Sequence, residues 1–264
     1  MNKIVLFDVD GTLIDCAHGR DYISGYTKNI LCRLKKEGYI LFIASGRPMS
    51  YLMKDLKDSL FDGYILNDGA YVEYLGRELS YHPMDEEVIV DILDQVYANH
   101  LTSIAYTRHH SIMNKRNDEL ISYIKSFKFQ EETLRYNSNL YTIKNDILKI
   151  HVLCDTDEQF NNFRLDYNKV YNATYGTTLN EIYSKEYTKA TALLEVLELL
   201  NIDKKDSYFF GDGLNDIEMM DAIGHPIAMA NASLEVKQHS EYLCGDVNEE
   251  GVAHFIEVFF LNKK

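Results

Sequence analysis

The sequence predicts an α/β protein built on a doubly wound parallel sheet, with a separate α+β unit inserted into it. Three observations carry this. Short apolar runs, Ile4 to Phe7, Tyr39 to Ala44 and Ser207 to Phe210, have the pattern of strands buried on both faces of a parallel sheet. Segments of helical period lie beside them, the alternation that builds a doubly wound domain. Between residues 83 and 183 the pattern changes to helices mixed with short strands, so this stretch forms an inserted domain and residues 1–82 with 184–264 form the core.

The elements follow in order. After Ile4 to Phe7 comes a helix with Ile23, Ile30, Leu31 and Leu34 on one face, stopped by Gly38. Tyr39 to Ala44 is the next strand. The insertion opens on the acidic helix start Asp85-Glu86-Glu87, and Val88, Ile89, Ile92, Leu93 and Val96 form the apolar face of that helix. Strands at Ile104 to Thr107 and Ser111 to Asn114 precede a helix with Leu120, Ile121, Ile124 and Phe127. A polar stretch from Tyr136 to Asn145 leads to a strong strand, Ile147 to Leu153, then a helix near Phe160 and Phe163 and strands toward Ile182. Back in the core, Thr188 caps a helix carrying Leu193, Val196, Leu197 and Leu200. Glu249-Glu250 reads as a further helix start, and no repeat of solenoid period is present.

Composition narrows the function. The 264 residues hold 41 acidic and 27 basic side chains, a net charge of −14, which argues against a nucleic-acid binder, since such affinity needs clustered Lys and Arg. An apolar content of 46% supports a sizeable core. The apolar run before Asp8 is too short for a signal peptide, and no stretch approaches the roughly 20 apolar residues of a membrane helix. A cytoplasmic protein is expected. Cys16, Cys32, Cys154 and Cys244 are scattered without a C-x-x-C pair and read as reduced thiols.

The chemistry gathers where the predicted strands end. The first strand runs into Asp8-Val9-Asp10-Gly11-Thr12-Leu13. Gly11 lets the chain turn at once and bring both carboxylates near the strand's carboxyl end, where ligands bind in open α/β sheets. Alone, D-x-D reads as a solvated acidic turn, but the apolar strand before it and Gly-Thr-Leu after it favour a ligand site. The second strand ends in Ser45-Gly46-Arg47-Pro48, where a hydroxyl and backbone N–H groups can hold phosphate oxygens, although the same residues also make an ordinary turn. After Phe210 comes Gly211-Asp212-Gly213-Leu214-Asn215-Asp216. Asp216 stands where a dinucleotide loop needs its third glycine, and the added carboxylates suggest a Mg²⁺ site instead. Lys189 opens a helix against the helix dipole, a choice that makes sense beside a phosphate.

These four segments, in this order, resemble the four motifs of the haloacid dehalogenase superfamily, and the insertion resembles the cap of its Cof-type, subclass IIB, phosphatases. Ile182-Tyr183-Ser184-Lys185-Glu186-Tyr187-Thr188-Lys189, Ile227-Ala228-Met229-Ala230-Asn231-Ala232 and Asn248-Glu249-Glu250-Gly251-Val252-Ala253 extend the resemblance over nearly the whole chain. It implies a Rossmann-like core and a cap domain that closes over the active site. It implies Asp8 as nucleophile forming an aspartyl-phosphate, and Asp10 as the acid and base. Mg²⁺ would be held by Asp8, the Asp10 carbonyl and Asp212, with Asp216 acting through water or a second contact. Ser45, Gly46, Lys189 and Asn215 would hold the phosphate oxygens. Asn67-Asp68-Gly69-Ala70 departs from the family's Asn-Gly-Ala by placing Asp68 at the asparagine's position, an anion that disfavours a second phosphate and favours hydroxyl or amine groups. Ser184 and Glu186 replace the usual Pro and Gly before the lysine.

Arg47, Asp68, Arg108 and His109 are the candidates for substrate specificity. As strand neighbours, His109 and His110 would face opposite ways and not share a metal. The expected protein is a Mg²⁺-dependent phosphomonoester hydrolase of small phosphorylated metabolites, sugar phosphates first. A phosphomutase with the same chemistry and a non-catalytic phosphoacceptor or sensor are the alternatives. Oligomeric state is not readable from the sequence.

Overall fold

The computed structural model describes residues 3–57, 59–126, 133–175 and 178–262. Phe127, assigned above to a helix face, lies outside them. The chain divides into two compact units, one of Met1–Gly46, Met53–Leu79 and Lys189–Lys264, the other of Arg47–Leu52 and Ser80–Thr188.

In chain order the elements are β1 (Lys3–Phe7), α1 (Gly25–Lys36), β2 (Tyr39–Ala44), β3 (Gly63–Leu66), β4 (Tyr71–Tyr74) and β5 (Arg77–Tyr81). Then come α2 (Glu86–Ala98), β6 (Thr102–Tyr106), β7 (Ser111–Met113), α3 (Asp118–Ser126), β8 (Leu134–Tyr136), β9 (Lys149–Leu153), α4 (Asp157–Asn162), β10 (Val170–Tyr175) and β11 (Leu179–Ser184). The chain closes with α5 (Lys189–Leu199), β12 (Ser207–Gly211), α6 (Ile217–Ala222), β13 (His225–Ala228), α7 (Leu234–Gln238), β14 (Tyr242–Leu243) and α8 (Gly251–Ile256).

In the first unit the sheet order is β14-β13-β12-β1-β2-β3-β4-β5, parallel from β14 to β3 and turning antiparallel at β4. The central strands are apolar on both faces because both are covered. Ile4, Leu6, Phe42, Ala44 and Phe209 pack against Leu193, Val196 and Leu197 of α5 and Met219 and Met220 of α6. Each such side chain contributes about 1.5–3 kcal/mol when fully buried. Phe7 pairs with Ile43 on one side and Phe210 on the other, so β1, β2 and β12 end level and deliver Asp8, Ser45 and Asp212 to one edge. Ser24 caps α1 by accepting from the Thr27 N–H, and Gly38, at φ +89°, ends it. Ile23 is buried but precedes that cap, so the helical face begins later than its spacing suggested.

In the second unit the sheet order is β10-β11-β9-β6-β7-β8. One face takes Ala105, Ile150, Val152 and Ile182 against Ile89, Ile92, Leu93 and Val96 of α2, whose Asp85 cap accepts from the Glu87 and Val88 N–H groups. The other face places Ile104, Tyr106, Met113 and Leu153 against Leu120, Ile121 and Ile124 of α3 and against Tyr51. Residues 108–110 form the turn between β6 and β7 rather than a strand, so the alternation argument for His109 and His110 does not apply; both are exposed.

That second face also carries charge. Lys149 is buried and its ammonium pairs with Glu181 Oε1, while His151 Nε2 lies 3.4 Å from the same oxygen. Burial opposes ionisation of Glu181, but Lys149 and His151 outweigh it and hold the carboxyl well below the usual range. The stability this brings is therefore present above the ordinary carboxylate range and is lost as the pH falls toward the folded value. Glu181→Gln is expected to lower unfolding stability at neutral pH by about 3 kcal/mol, because it takes the opposite charge away from a buried ammonium. Urea unfolding followed by circular dichroism checks this, and a loss below about 0.5 kcal/mol would show that Lys149 finds another partner.

Candidate active site

The site is built on the carboxyl edge of the first unit's sheet. Asp8 continues the ladder one step past β1, its N–H donating to Phe210 O at 2.9 Å, which fixes its backbone beside β12. The chain then turns at Gly11, at φ +83°, where a Cβ would fall 2.1 Å from Asp212 Oδ2. Only glycine meets both demands, the left-handed backbone and the close approach of a carboxylate. Asp212 is fixed from two sides. Thr12 Oγ1 donates to its Oδ1 at 3.0 Å, and Asn231 Nδ2 lies 3.4 Å from its Oδ2 while donating to Gly11 O at 2.8 Å.

Asp216 is fully buried and both of its oxygens are engaged. Oδ2 accepts from the Asp212 and Gly213 N–H groups at 3.1 and 3.0 Å, and Oδ1 accepts from Lys189 Nζ at 2.7 Å. Lys189 Nζ also donates to Asp8 Oδ1 at 2.8 Å. One ammonium thus joins the carboxylate ending β1 to the one that shapes the loop after β12.

Asp8, Asp212 and Asp216 each bring an oxygen within 4.8 Å of the others. This crowding has electrostatic consequences. Burial, with Asp216 and Asp212 adding to it, pushes the Asp8 carboxyl well above its ordinary value against the pull of Lys189. Burial and Asp216 raise Asp212 to about 7 although the Thr12 hydrogen bond opposes them. Lys189 is raised despite its burial, because Asp216 and Asp8 face it. Three carboxylates against one ammonium favour a further cation, and an all-oxygen donor set is the kind that hard divalent ions take.

The neighbouring loops close the cluster. Ser45 N–H donates to Ile65 O at 2.9 Å, extending the β2–β3 ladder, and Asp68 N–H reaches Ser45 O at 3.3 Å. A Cβ on Gly46 would lie 2.8 Å from Asp68 Oδ1, so this carboxylate lies over the Gly46 backbone. Asn67, Asp68 and Gly69 are consecutively left-handed, at φ +49°, +55° and +109°. Asn and Asp tolerate that region better than other residues, yet each costs of order 1 kcal/mol there, a strain that tends to persist at functional sites. Among the described residues the buried Asn67 amide has no hydrogen-bond partner.

Of the residues singled out by sequence, Asp8, Asp212, Asp216, Lys189, Ser45, Gly46 and Asp68 are gathered within the first unit. Asp10 and Asn215 belong to its loops with exposed side chains, and the Asp10 carboxylate is not one of the three clustered ones. Arg47, Arg108 and His109 belong to the second unit, where Arg108 lies 4.1 Å over the Tyr81 ring. Sequence reasoning gave no role to Thr12, Asn231 or Asn67. The Gly-Thr after the first acidic pair was the one local sign of Thr12; Asn231 lies 19 residues beyond Asp212, and its contact exists only in the fold.

A family profile for haloacid dehalogenase-like hydrolases matches residues 5–256. The chain belongs to this family. YkrA of Bacillus subtilis is 26% identical over 277 residues, with 99% of each chain covered. The 5-amino-6-(5-phospho-D-ribitylamino)uracil phosphatase YwtE of the same species is 25% identical over 285 residues, with 97% of each covered. The subclass IIB sugar phosphatase BT4131 superposes with a TM-score of 0.80 over 97% of this chain and 98% of its own, at 21% identity, a likeness of fold. This haloacid dehalogenase-like hydrolase is a phosphatase with the Rossmann-like fold of its class. No helix among its described residues is long and apolar enough to cross a membrane.

Proposed function

We propose that the protein is a Mg²⁺-dependent hydrolase of small phosphomonoesters, sugar phosphates first, working in the cytoplasm through an aspartyl-phosphate on Asp8. The observation that carries this reading is the buried Asp8 carboxylate, held 2.8 Å from Lys189 and clustered with Asp212 and Asp216. A carboxylate so placed has one oxygen oriented by the ammonium and the other left to attack.

An Asp8 oxygen bonds to phosphorus as the ester oxygen departs, and Asp10 gives that alkoxide its proton. Water then attacks the aspartyl-phosphate, Asp10 takes its proton, and free phosphate and Asp8 are regenerated. An exposed Asp10 suits this exchange, since it must meet both leaving group and water. Ser45, the Gly46 N–H, Asn215 and Lys189 hold the non-bridging oxygens. Asp8, Asp212 and the Asp10 carbonyl would hold Mg²⁺, which would supply the positive charge that an anionic substrate needs beside so many carboxylates. Asp216, whose oxygens are spent on Lys189 and two N–H groups, orients this set rather than meeting the ion directly. Residues 83–183 serve as the cap, and Arg108 and His109 within it, with Arg47 and Asp68 outside it, are the specificity contacts.

Asp68 disfavours a second phosphate and favours substrates with hydroxyl or amine groups. That description covers sugar phosphates and also the phosphorylated ribitylamine named for YwtE. Phosphate release across a panel of phosphorylated metabolites, with Mg²⁺ and with chelator, tests the reading. Hexose and pentose monophosphates and phosphoribitylamines are expected to turn over, bisphosphates to lag by about tenfold or more, and chelator to abolish release. Absence of release from every monoester in the presence of Mg²⁺ would overturn it.

A further inference from the structure

Residues 246–250, between β14 and α8 of the first unit, have no part in the proposed reaction, yet they hold the loop that carries Asp10. Their own loop is pinched shut. A Cβ on Gly251 would lie 2.2 Å from Gly245 O, so the two ends meet backbone to backbone. Asp246 braces the turn from inside: its O accepts from the Glu249 and Gly251 N–H groups, both at 3.0 Å, and its carboxylate accepts from the Asn248 N–H at 2.8 Å. Glu250 completes the turn at φ +59° and ψ +32°, a left-handed conformation that glycine adopts far more readily.

From this braced loop, bonds run to three points along residues 11–20. The Val247 N–H donates to Asn231 Oδ1 at 3.1 Å, which turns Asn231 Nδ2 toward Gly11 O at 2.8 Å. Asn248 Nδ2 donates to Asp15 Oδ2 at 2.9 Å. Glu250 Oε2 pairs with Arg20 Nη2 at 2.7 Å and also accepts from Thr27 Oγ1 of α1. Asp15 and Arg20 are themselves joined, each N–H donating to the other's O at 2.7 and 2.8 Å. The side chains of Arg20 and Glu250 are 15% and 25% exposed, so their pair escapes much of the screening that weakens surface ion pairs. Left-handed strain at a non-glycine residue persists where the surrounding contacts over-determine it, and the contacts of Glu250 are these.

We infer that Asn248 and Glu250 are positioning residues, which clamp residues 11–20 from the loop 246–250 and thereby fix where Asp10 stands. The inference rests on the acid and base role of Asp10 given under Proposed function. Misplacing a proton donor lowers the rate only as far as the leaving group needs the proton. An alkoxide leaving a sugar needs it; a nitrophenolate, already a weak base, does not.

Amide hydrogen exchange and kcat/KM, which reports the first transfer to Asp8, read the clamp on the full chain in Mg²⁺. In Glu250→Gln and in Asn248→Ala, exchange at the Asp15 and Arg20 N–H groups is expected to speed up about tenfold, with β1 as in the wild type. In the same variants kcat/KM for a hexose monophosphate is expected to fall about tenfold, part of the roughly 10²-fold or more that a general acid contributes, and for p-nitrophenyl phosphate less than about twofold. Glu249→Gln is the control, an exposed carboxylate of the same loop outside the bonds to residues 11–20. Wild-type exchange at Asp15 and Arg20 in both variants would overturn the inference, as would an equal loss on the two esters or a matching effect of Glu249→Gln. Asp10→Asn separates the reading beneath it. If that variant loses both esters equally, or the wild type hydrolyses neither, the acid role of Asp10 fails by itself, and the exchange comparison still decides whether the clamp holds residues 11–20.

Discussion

Asp8→Asn is expected to lower kcat for any phosphomonoester by about 10⁴-fold or more, the scale on which single removal of a covalent nucleophile acts. The amide keeps the shape of the carboxyl and loses its capacity to bond to phosphorus. The same change is expected to leave stability unchanged or raise it. Burial, with Asp216 and Asp212 beside it, pushes the Asp8 carboxyl up, so at neutral pH the fold holds this charge against its preference. A neutral amide removes that cost, and Lys189 still has Asp216 at 2.7 Å. Turnover and melting temperature measured on one preparation give the two signs together. An inactive variant that also melts well below wild type would mean that Asp8 holds the fold together, and full activity would end its assignment as nucleophile.

The opposite signs explain which parts of this protein its sequence discloses. The runs at β1, β2 and β12 are legible because strands covered on both faces must be apolar throughout. The loops after them are legible because a carboxylate packed against the backbone needs glycine beside it, as Gly11 beside Asp212 illustrates. Contacts across long separations are another matter. The bonds from Thr12 and Asn231 to Asp212 join residues 200 and 19 positions apart; the Gly-Thr after the first acidic pair hints at Thr12, and no local pattern announces its partner or the bond from Asn231. Ser45 and Arg47 stand two residues apart yet fall in different compact units, since a unit is defined by what a side chain packs against. Tyr51 reads as one more core aromatic until its hydroxyl meets Tyr106. The left-handed run at Asn67 and Asp68 is hidden for a similar reason, because surrounding structure can hold residues where local preference would not put them.

Lys189→Met should be the most destabilising single change in the first unit. The residue is 3% exposed, and its ammonium stands between Asp8 and Asp216 at 2.8 and 2.7 Å. Met fills the same volume but leaves two buried carboxylates facing each other without a cation. Breaking a buried pair in this way costs about 3–5 kcal/mol, which for a domain of this size lowers the melting temperature by roughly 10 °C or more. Activity should fall with it, as the phosphate loses its cation. The cause can be separated from a mere packing defect by combining variants. If stranded charge is responsible, adding Asp8→Asn removes one of the two carboxylates and recovers part of the lost stability, a coupling of about 1 kcal/mol or more. If the defect lies in packing, the second change adds only what it gives in the wild-type background and the coupling is absent, because Asn and Asp occupy the same space. A Lys189→Met chain that melts with the wild type would show that Asp8 and Asp216 do not depend on this ammonium.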